Sequence, residues 1–376
     1  MTKMEPADAR RFVPCFDEPE YKAIWKVTVI HPNGTRAIAN AFEISETTEA
    51  DGKWKVSTFE PTPIMPSYLL AIFVSEFEFD ESYTKRGVRF RVWSTPDTKD
   101  KRKYGLKAAV TYMETLERYF DIEDVMKKQG LYDKWLGNLV TMKWWDELWI
   151  KEGFANYFEN MELNENRDMR IIRNEIVAGL DYSMEKDSLA ASRPISSIMD
   201  MPIELAEIYD ILSYDKADDL WKAFDEVVEG VEGPDGRKLN LVDVGGRWSK
   251  QMGFPLVTVE HFNSTTLKIK QERYLKNPKA IEPQKYISSN YGYKWDVPLW
   301  YQWDDKQLHY KWLKRGAHYN EPLYIQMKPK DVPIVINADR RSYLAQNYDA
   351  EGWKKIIKQL RENHEVSCIS SSLENA

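Results

Sequence analysis

Glu152 is the residue whose surroundings first suggest chemistry. It follows four tryptophans, Trp135, Trp144, Trp145 and Trp149, that fall within fifteen residues. From Met142 onward, Trp145, Trp149, Glu152, Asn156 and Glu159 recur at steps of three and four, which places them on one face of a helix. An unpaired carboxylate on an aromatic face is costly to bury. Glu152 is therefore paired, binds a metal, or faces an open cavity. Two carboxylates without imidazole suit a hard ion such as Ca²⁺ or Mg²⁺, but such ions need more oxygen ligands than this stretch offers.

The histidine pattern limits the metal chemistry further. The five histidines are His31, His261, His309, His318 and His364, and none lies between 32 and 260. A zinc hydrolase site of the H-E-x-x-H type needs two imidazoles one helical turn apart and a carboxylate beside the first. No such string occurs in the chain, and neither does G-x-S-x-G, a Walker A loop or G-x-G-x-x-G. Cys15, in P-C-F-D-E-P, has no histidine near it in sequence, so no nucleophile role is expected. Lys127-Lys128 and Lys354-Lys355 are expected to be ordinary solvated charges.

The segments that would position these residues carry a resemblance. W-x-G-N-L-V-T-M-K-W-W-D-x-L-W-x-x-E-G-F-A, from Trp135, resembles the zinc-site segment of the M1 family of metallo-aminopeptidases. The opening A-D-A-R-R-F-V-P-C-F-D-E-P and P-x-x-x-P-S-Y-L-L-A-I-F-V resemble parts of that family's N-terminal β-domain. The resemblance implies removal of single residues from peptide N-termini by a zinc-activated water. It also implies zinc as cofactor and peptides as partners. Aligned on W-x-G-N, the family's first histidine falls on Gln129, its glutamate on Gly130, its second histidine on Asp133 and its third zinc ligand on Glu152. Tyr214, in I-L-S-Y-D-K, falls where the family places the tyrosine that steadies the tetrahedral intermediate. The family's G-A-M-E-N segment and its H-E-x-x-H helix have no counterpart here, because Phe120-Asp121-Ile122 runs almost at once into Lys127-Lys128-Gln129. Leu131-Tyr132-Asp133 could equally come from upstream of that helix, which would make the match to the histidine positions a coincidence of the junction. A second gap follows Lys216, where Ala217 replaces the usual glycine.

The resemblance implies a multidomain α+β chain. Its parts are a remnant of the N-terminal β-domain (1–95), a thermolysin-like helical catalytic remnant with internal deletions (96–253), a small β-sandwich (254–346), and the start of a C-terminal helical domain with a tail (347–376). The local patterns agree. Strands are expected at 21–30, 54–59, 68–79 and 88–93, with a turn at Pro32-Asn33-Gly34. An amphipathic helix is expected over 104–120, with Leu106, Val110, Met113, Leu116 and Phe120 on one face. Helix continues over 169–182, and 229–238 reads as a Gly-rich turn. The chain is expected to return to β structure from 247, with a hairpin around Asn263-Ser264 and strands at 297–303, 323–327 and 333–337. Family members carry more strands upstream of the first, so an open sheet edge is expected. The lost core helices predict exposed apolar surface and poor solubility.

Composition bounds the rest. The 376 residues suffice for two or three domains. The net charge of −7 and the lack of a basic stripe argue against nucleic acid. Cys15 and Cys368, far apart, exclude a disulfide framework. There is no apolar run of membrane-spanning length, and MTKMEPADARR has no apolar core of a signal peptide. Two N-x-[ST] sequons, at Asn33 and Asn263, are about what chance supplies. Compartment and oligomeric state are not legible.

Three readings of function stand side by side. In the first, the chain is a catalytically inactive M1-type polypeptide that binds peptides or partners, or is vestigial. In the second, it is a truncated or mis-spliced product of a locus that encodes an active aminopeptidase. In the third, it is an active enzyme with ligands foreign to the family. Without its partner ligands, Glu152 is expected to be salt-bridged or solvated, Tyr214 idle, and the tryptophan cluster core.

Overall fold

The computed structural model describes residues 2–120, 179–195, 230–281, 291–303, 307–316, 321–328 and 332–362, with isolated positions between 141 and 228. The chain divides into two compact units. The first comprises 1–172 with 199–207, and the second 173–198 with 208–376.

The first unit is β-rich. A single turn, α1 (Ala9–Phe12), precedes β1 (Lys22–Ala23), β2 (Thr28–Pro32), β3 (Arg36–Ala39), β4 (Glu43–Thr48), β5 (Trp54–Phe59), β6 (Met65–Pro66), β7 (Ile72–Ser75), β8 (Glu78–Tyr83) and β9 (Arg89–Ser94). These pair into small antiparallel sheets, ordered β2-β5-β4, β3-β7, β1-β6 and β8-β9. β5 coincides with the run expected at 54–59. Two other runs break where the sequence suggested continuity. Residues 21–30 split into β1 and β2, and 68–79 begins as a 3₁₀ turn at Ser67–Leu69 before β7 and β8. The Pro32–Thr35 turn is closed by the N–H of Thr35 donating to Pro32 O, with Gly34 at φ +95°, where a side chain would be strained.

One face of the sheet β2-β5-β4 leaves apolar side chains open. Its register sets Ile30 opposite Val56 and Pro32 opposite Trp54, and this apolar face is open, with Ile30 60% and Trp54 42% exposed. The opposite face buries His31 and Ser57. There the His31 ring lies 2.9 Å from Ser57 Oγ and 2.8 Å from Thr35 Oγ1, while Lys55 pairs with Glu46 at 2.6 Å. A β-bulge between Glu43 and Ser45 accompanies the exposure of Ile44.

Helix α2 (Lys99–Phe120) begins five residues before the expected start. Leu106, Ala109 and Met113 bury against Val88 and Phe90 of the β8-β9 hairpin. The expected Leu106/Val110/Met113 face is thus the packed one, while the Leu116 and Phe120 side chains lie outside the described set. Arg102, almost fully buried, holds the helix to the hairpin through Glu78 and Asp80, 3.6 and 3.5 Å away.

The second unit carries the larger core. Helix α3 (Leu241–Ser249) is capped by Asn240, whose side chain accepts from the N–H of Asp243. Residues 247–249 are therefore helical, which corrects the expectation of β structure from 247. Val244, Gly245, Gly246 and Ser249 are its buried residues, and the cap fixes the helix start. Strands β10 (Pro255–His261), β11 (Thr266–Arg273), β12 (Val297–Gln302), β13 (Leu308–Leu313), β14 (Leu323–Gln326), β15 (Val335–Ile336) and β16 (Ala345–Tyr348) come next, then helix α4 (Ala350–Glu362). They form two sheets, β14-β11-β10-β16 and β13-β12-β15. β10 and β11 form the expected hairpin, and its turn is tied by Asn263 Oδ1 accepting from the N–H of Thr265. β16 runs parallel to β10.

Alternate residues of β10, β11 and β12 point into one core: Val257 and Val259, Leu267 and Ile269, Val297 and Leu299. Trp295 and Ile336 close it, fully buried. Gln271 acts as a stand-in strand partner. Its amide accepts from the Trp295 N–H at 3.1 Å and donates to Trp295 O at 2.7 Å. Among the described residues, no helix is long and apolar enough to cross a membrane.

Candidate functional site

Of the tryptophan-rich segment and the candidate nucleophile, Trp144, Trp145 and Cys15 are described, and Trp144 is half-buried. Trp145 is 1% exposed, and its ring centroid lies 5.1 Å from that of Tyr68 at a tilted 56°. Met142 is buried beside it in sequence. At this position the tryptophan cluster is core, because a rigid indole fills a large volume at low entropic cost. Gln129, Gly130, Asp133, Trp135, Trp149, Glu152 and Tyr214 lie outside the described residues, as do Lys127-Lys128, His318, His364 and Cys368. Cys15 is a free thiol whose pKa is raised by burial and by the Asp17 carboxylate, against the pull of Arg10. A raised thiol pKa means little thiolate, which fits the absence of a nucleophile role.

The described histidines are each held by structural partners. Both ring nitrogens of His31 face hydroxyls in a buried position. His309 stacks on Tyr301, with centroids 5.2 Å apart. His261 Nδ1 lies 2.9 Å from Asp349 Oδ2, and its backbone N–H donates to the same oxygen at 2.7 Å. Asp349 also accepts from the N–H of Gly352 at 2.8 Å, so it caps the start of α4. Burial raises the Asp349 carboxyl, but the hydrogen bonds from His261 and Gly352 outweigh it and hold its pKa below the ordinary value. Lys355 closes the group. Its Nζ lies 3.1 Å from Glu351 and 3.4 Å from His261 Nε2, and its side chain is mostly buried. Lys355 is thus part of an ion network, which corrects its reading as a solvated charge. The cause is its place on the turn of α4 that faces β10.

Two more charge clusters hold the second unit together, and neither left a local trace in the sequence. Asp187, at the end of helical residues 179–187, is buried. Its Oδ1 accepts from Ser192 Oγ at 2.5 Å and from the Gly253 N–H at 2.9 Å. Burial drives its pKa up, opposed by those hydrogen bonds, by the Arg273 charge and by Tyr343, whose own phenol is pushed up by burial and by Asp187. Gly253 sits at φ +78°, where an added Cβ would come within 2.7 Å of Arg273 Nε. In the second cluster, Arg315 reaches Asp243 of α3 at 2.7 Å and the buried Asp296 at 3.1 Å. Gly253 lies 66 residues from Asp187, and Asp243 and Asp296 lie 72 and 19 residues from Arg315, so no spacing rule could have paired them.

Chemically, these clusters are closed. Each described carboxylate in them is matched by a cation or N–H donors. Among the described residues, no group of three or more His, Cys, Asp or Glu side chains is arranged to hold a metal ion.

Comparison with known proteins brings out the chain's relatives. The Peptidase M1 N-terminal domain matches residues 1–69, and the Peptidase family M1 domain matches residues 104–232. Aminopeptidase N of Haemonchus contortus is 40% identical over 450 residues, covering 97% of this chain and 46% of that protein. Aminopeptidase N of Rattus norvegicus is 28% identical, and glutamyl aminopeptidase of Bitis rhinoceros 27%, each again over 97% of the chain. The chain spans just under half the length of these curated relatives.

Proposed function

The chain belongs to the M1 aminopeptidase family, and from that membership we propose that it keeps the family's scaffold without the zinc chemistry. The observation that carries this reading is the histidine pattern: no imidazole lies between residues 32 and 260. The family's ligand positions fall on Gln129, Asp133 and Glu152, and its general base position on Gly130. This donor set offers no imidazole and no base, so it does not fit a catalytic zinc. Such a zinc would polarise the scissile carbonyl and supply hydroxide near neutral pH. Without it, Tyr214 has no oxyanion to stabilise. On this reading, the four-part division at 95, 253 and 346 describes a β-domain remnant, a catalytic remnant, a β-sandwich and the start of a helical domain. Peptides are the class of partner that the family suggests.

The test is zinc content by elemental analysis, together with turnover of leucine p-nitroanilide. We expect no stoichiometric zinc and no hydrolysis above a Glu152→Ala control. Bound zinc with hydrolysis that Glu152→Ala abolishes would overturn the proposal in favour of an active enzyme with foreign ligands.

One observation favours the second reading, a shortened product of a locus whose full product is active. The match to the Haemonchus protein extends over 450 residues, whereas the chain has 376, so at least 74 aligned positions lack a residue here. The abrupt junction after Ile122 is a natural place for part of that shortfall. Transcript sequencing decides it: a message encoding H-E-x-x-H between Ile122 and Trp135 supports the shortened-product reading, and its absence supports a chain that is complete as it stands in this region.

A further inference from the structure

The second unit holds a cavity of about 800 Å³, within the range of sites that take small ligands. None of its lining residues belongs to the tryptophan-rich segment, so the inference does not rest on whether the chain hydrolyses peptides. Its floor is formed by β16 together with Phe254 and Leu256 at the start of β10, and β16 is the outermost strand of the four-stranded sheet among the described residues. The cavity touches four successive residues, 344–347. Successive side chains point to opposite faces, so a cavity meeting all four also meets the backbone at the strand's edge.

The hydrogen-bond phase of that edge can be worked out. The N–H of Asp349 donates to Val259 O at 3.0 Å, toward β10. Backbone groups alternate in direction along a strand. Ala345 and Asn347 therefore turn their N–H and C=O toward β10, and Gln346 turns its own outward. Among the described residues no backbone group pairs with Gln346 on that side.

The walls add shape and charge. Tyr182, Tyr274 and Trp353 line the cavity with aromatic surface. Its four charged residues are already matched, Glu185 with Lys276 at 2.9 Å and Asp181 with Arg340. The two pairs leave the lining without net charge, which suits an uncharged ligand. Arg340 also adopts a left-handed conformation, at φ +51°, a strain of the kind that persists where surroundings over-determine it.

We propose that this cavity receives a short, uncharged, extended peptide segment that adds as a further strand to the edge of β16. The segment pairs with the N–H and C=O of Gln346 and lays an apolar side chain among the aromatic rings. Strand addition draws affinity from the main chain and specificity from alternate side-chain pockets. Four strand residues span about 13 Å, so a segment of about four residues fits.

The test is fluorescence anisotropy on the full chain, with a fluorescein-labelled, doubly capped Ser-Val-Tyr-Val-Ser peptide as probe. We expect saturable binding that weakens at least about tenfold for the fully N-methylated peptide, which has no N–H to donate to the Gln346 carbonyl and carries methyl groups along the edge it would present. Gln346→Pro removes an N–H that faces away from β10, a position where proline is tolerated; it should weaken binding about tenfold, while Gln346→Ala stays within about threefold because recognition is through the backbone. If the proline variant fails to fold, the N-methyl comparison on the unmodified chain still decides. Absence of saturable binding, equal binding of the N-methylated peptide, or equal loss in both Gln346 variants would each overturn the proposal. So would a chain that ignores the peptide and sediments as a dimer split by Gln346→Pro, which would assign the edge to a second copy.

Discussion

The two β regions of this chain solve the same problem in opposite ways. In the second unit, the strands send Val257, Ile269, Leu299 and their neighbours into a single closed core, and charged groups are tied at its margins. In the first, the β2-β5-β4 sheet buries His31, Ser57 and Phe59, keeps the Lys55–Glu46 pair half-buried beside them, and leaves Ile30 and Trp54 open. Both regions alternate apolar and polar residues along their strands. What differs is which face has something to pack against. Alternation specifies two faces but not which becomes interior, and exposed apolar surface of this kind marks a place for a partner or for aggregation.

The largest expected effect separates the two regions most sharply. Trp295→Ala empties a fully buried site in the closed core and should cost about 3–5 kcal/mol, read by hydrogen exchange on β10 to β12. A chain of two units need not unfold in one step, so a local probe is required. A cost near zero would mean the second unit is not the cohesive one.

Asp187 comes next. Asp187→Ala strands the Ser192 hydroxyl and the Gly253 N–H and should cost about 2–4 kcal/mol. The pH dependence sharpens the test. Its folded pKa lies above its ordinary value near 3.8, chiefly through burial. Its contribution is thus fully present below that value and is lost as pH rises through the folded pKa. Asp187→Asn should flatten that loss in melts taken from pH 3 upward.

Asp349 runs the other way. Its pKa is depressed, so its contribution is present above the ordinary value and is lost as pH falls through the folded one. Asp349→Ala removes the cap of α4 and should cost about 1–2 kcal/mol at neutral pH, with the fraying visible in α4 by hydrogen exchange.

The smallest effect tests the open face of that sheet. Ile30→Thr, at an exposed strand position, should change stability by no more than about 0.5 kcal/mol while raising solubility in a precipitation assay. A loss of several kcal/mol would show that Ile30 is covered and that the contrast between the two regions is false.

Much of this was legible from residues alone, and for identifiable reasons. The run Trp54–Phe59, the hairpin through Asn263, and the Leu106/Met113 face of α2 are local patterns whose period states their structure. The missing imidazoles were equally plain, since a residue type either occurs in a stretch or does not. Other features were hidden. Residues 247–249 read as strand because the deciding signal, the Asn240 cap, lies seven residues upstream. Lys355 read as solvated because its partner His261 is 94 residues away.

The sequence by itself determined the kinship of the chain and the donor types available to it, because both depend only on which residues follow one another. Tertiary structure alone decided which face of β2-β5-β4 is interior, that Asp187 meets Gly253, and that β16 is the outermost strand of its sheet among the described residues. Those outcomes depend on what lies across space from each residue, and packing and hydrogen-bond satisfaction are settled between segments that the linear order keeps far apart.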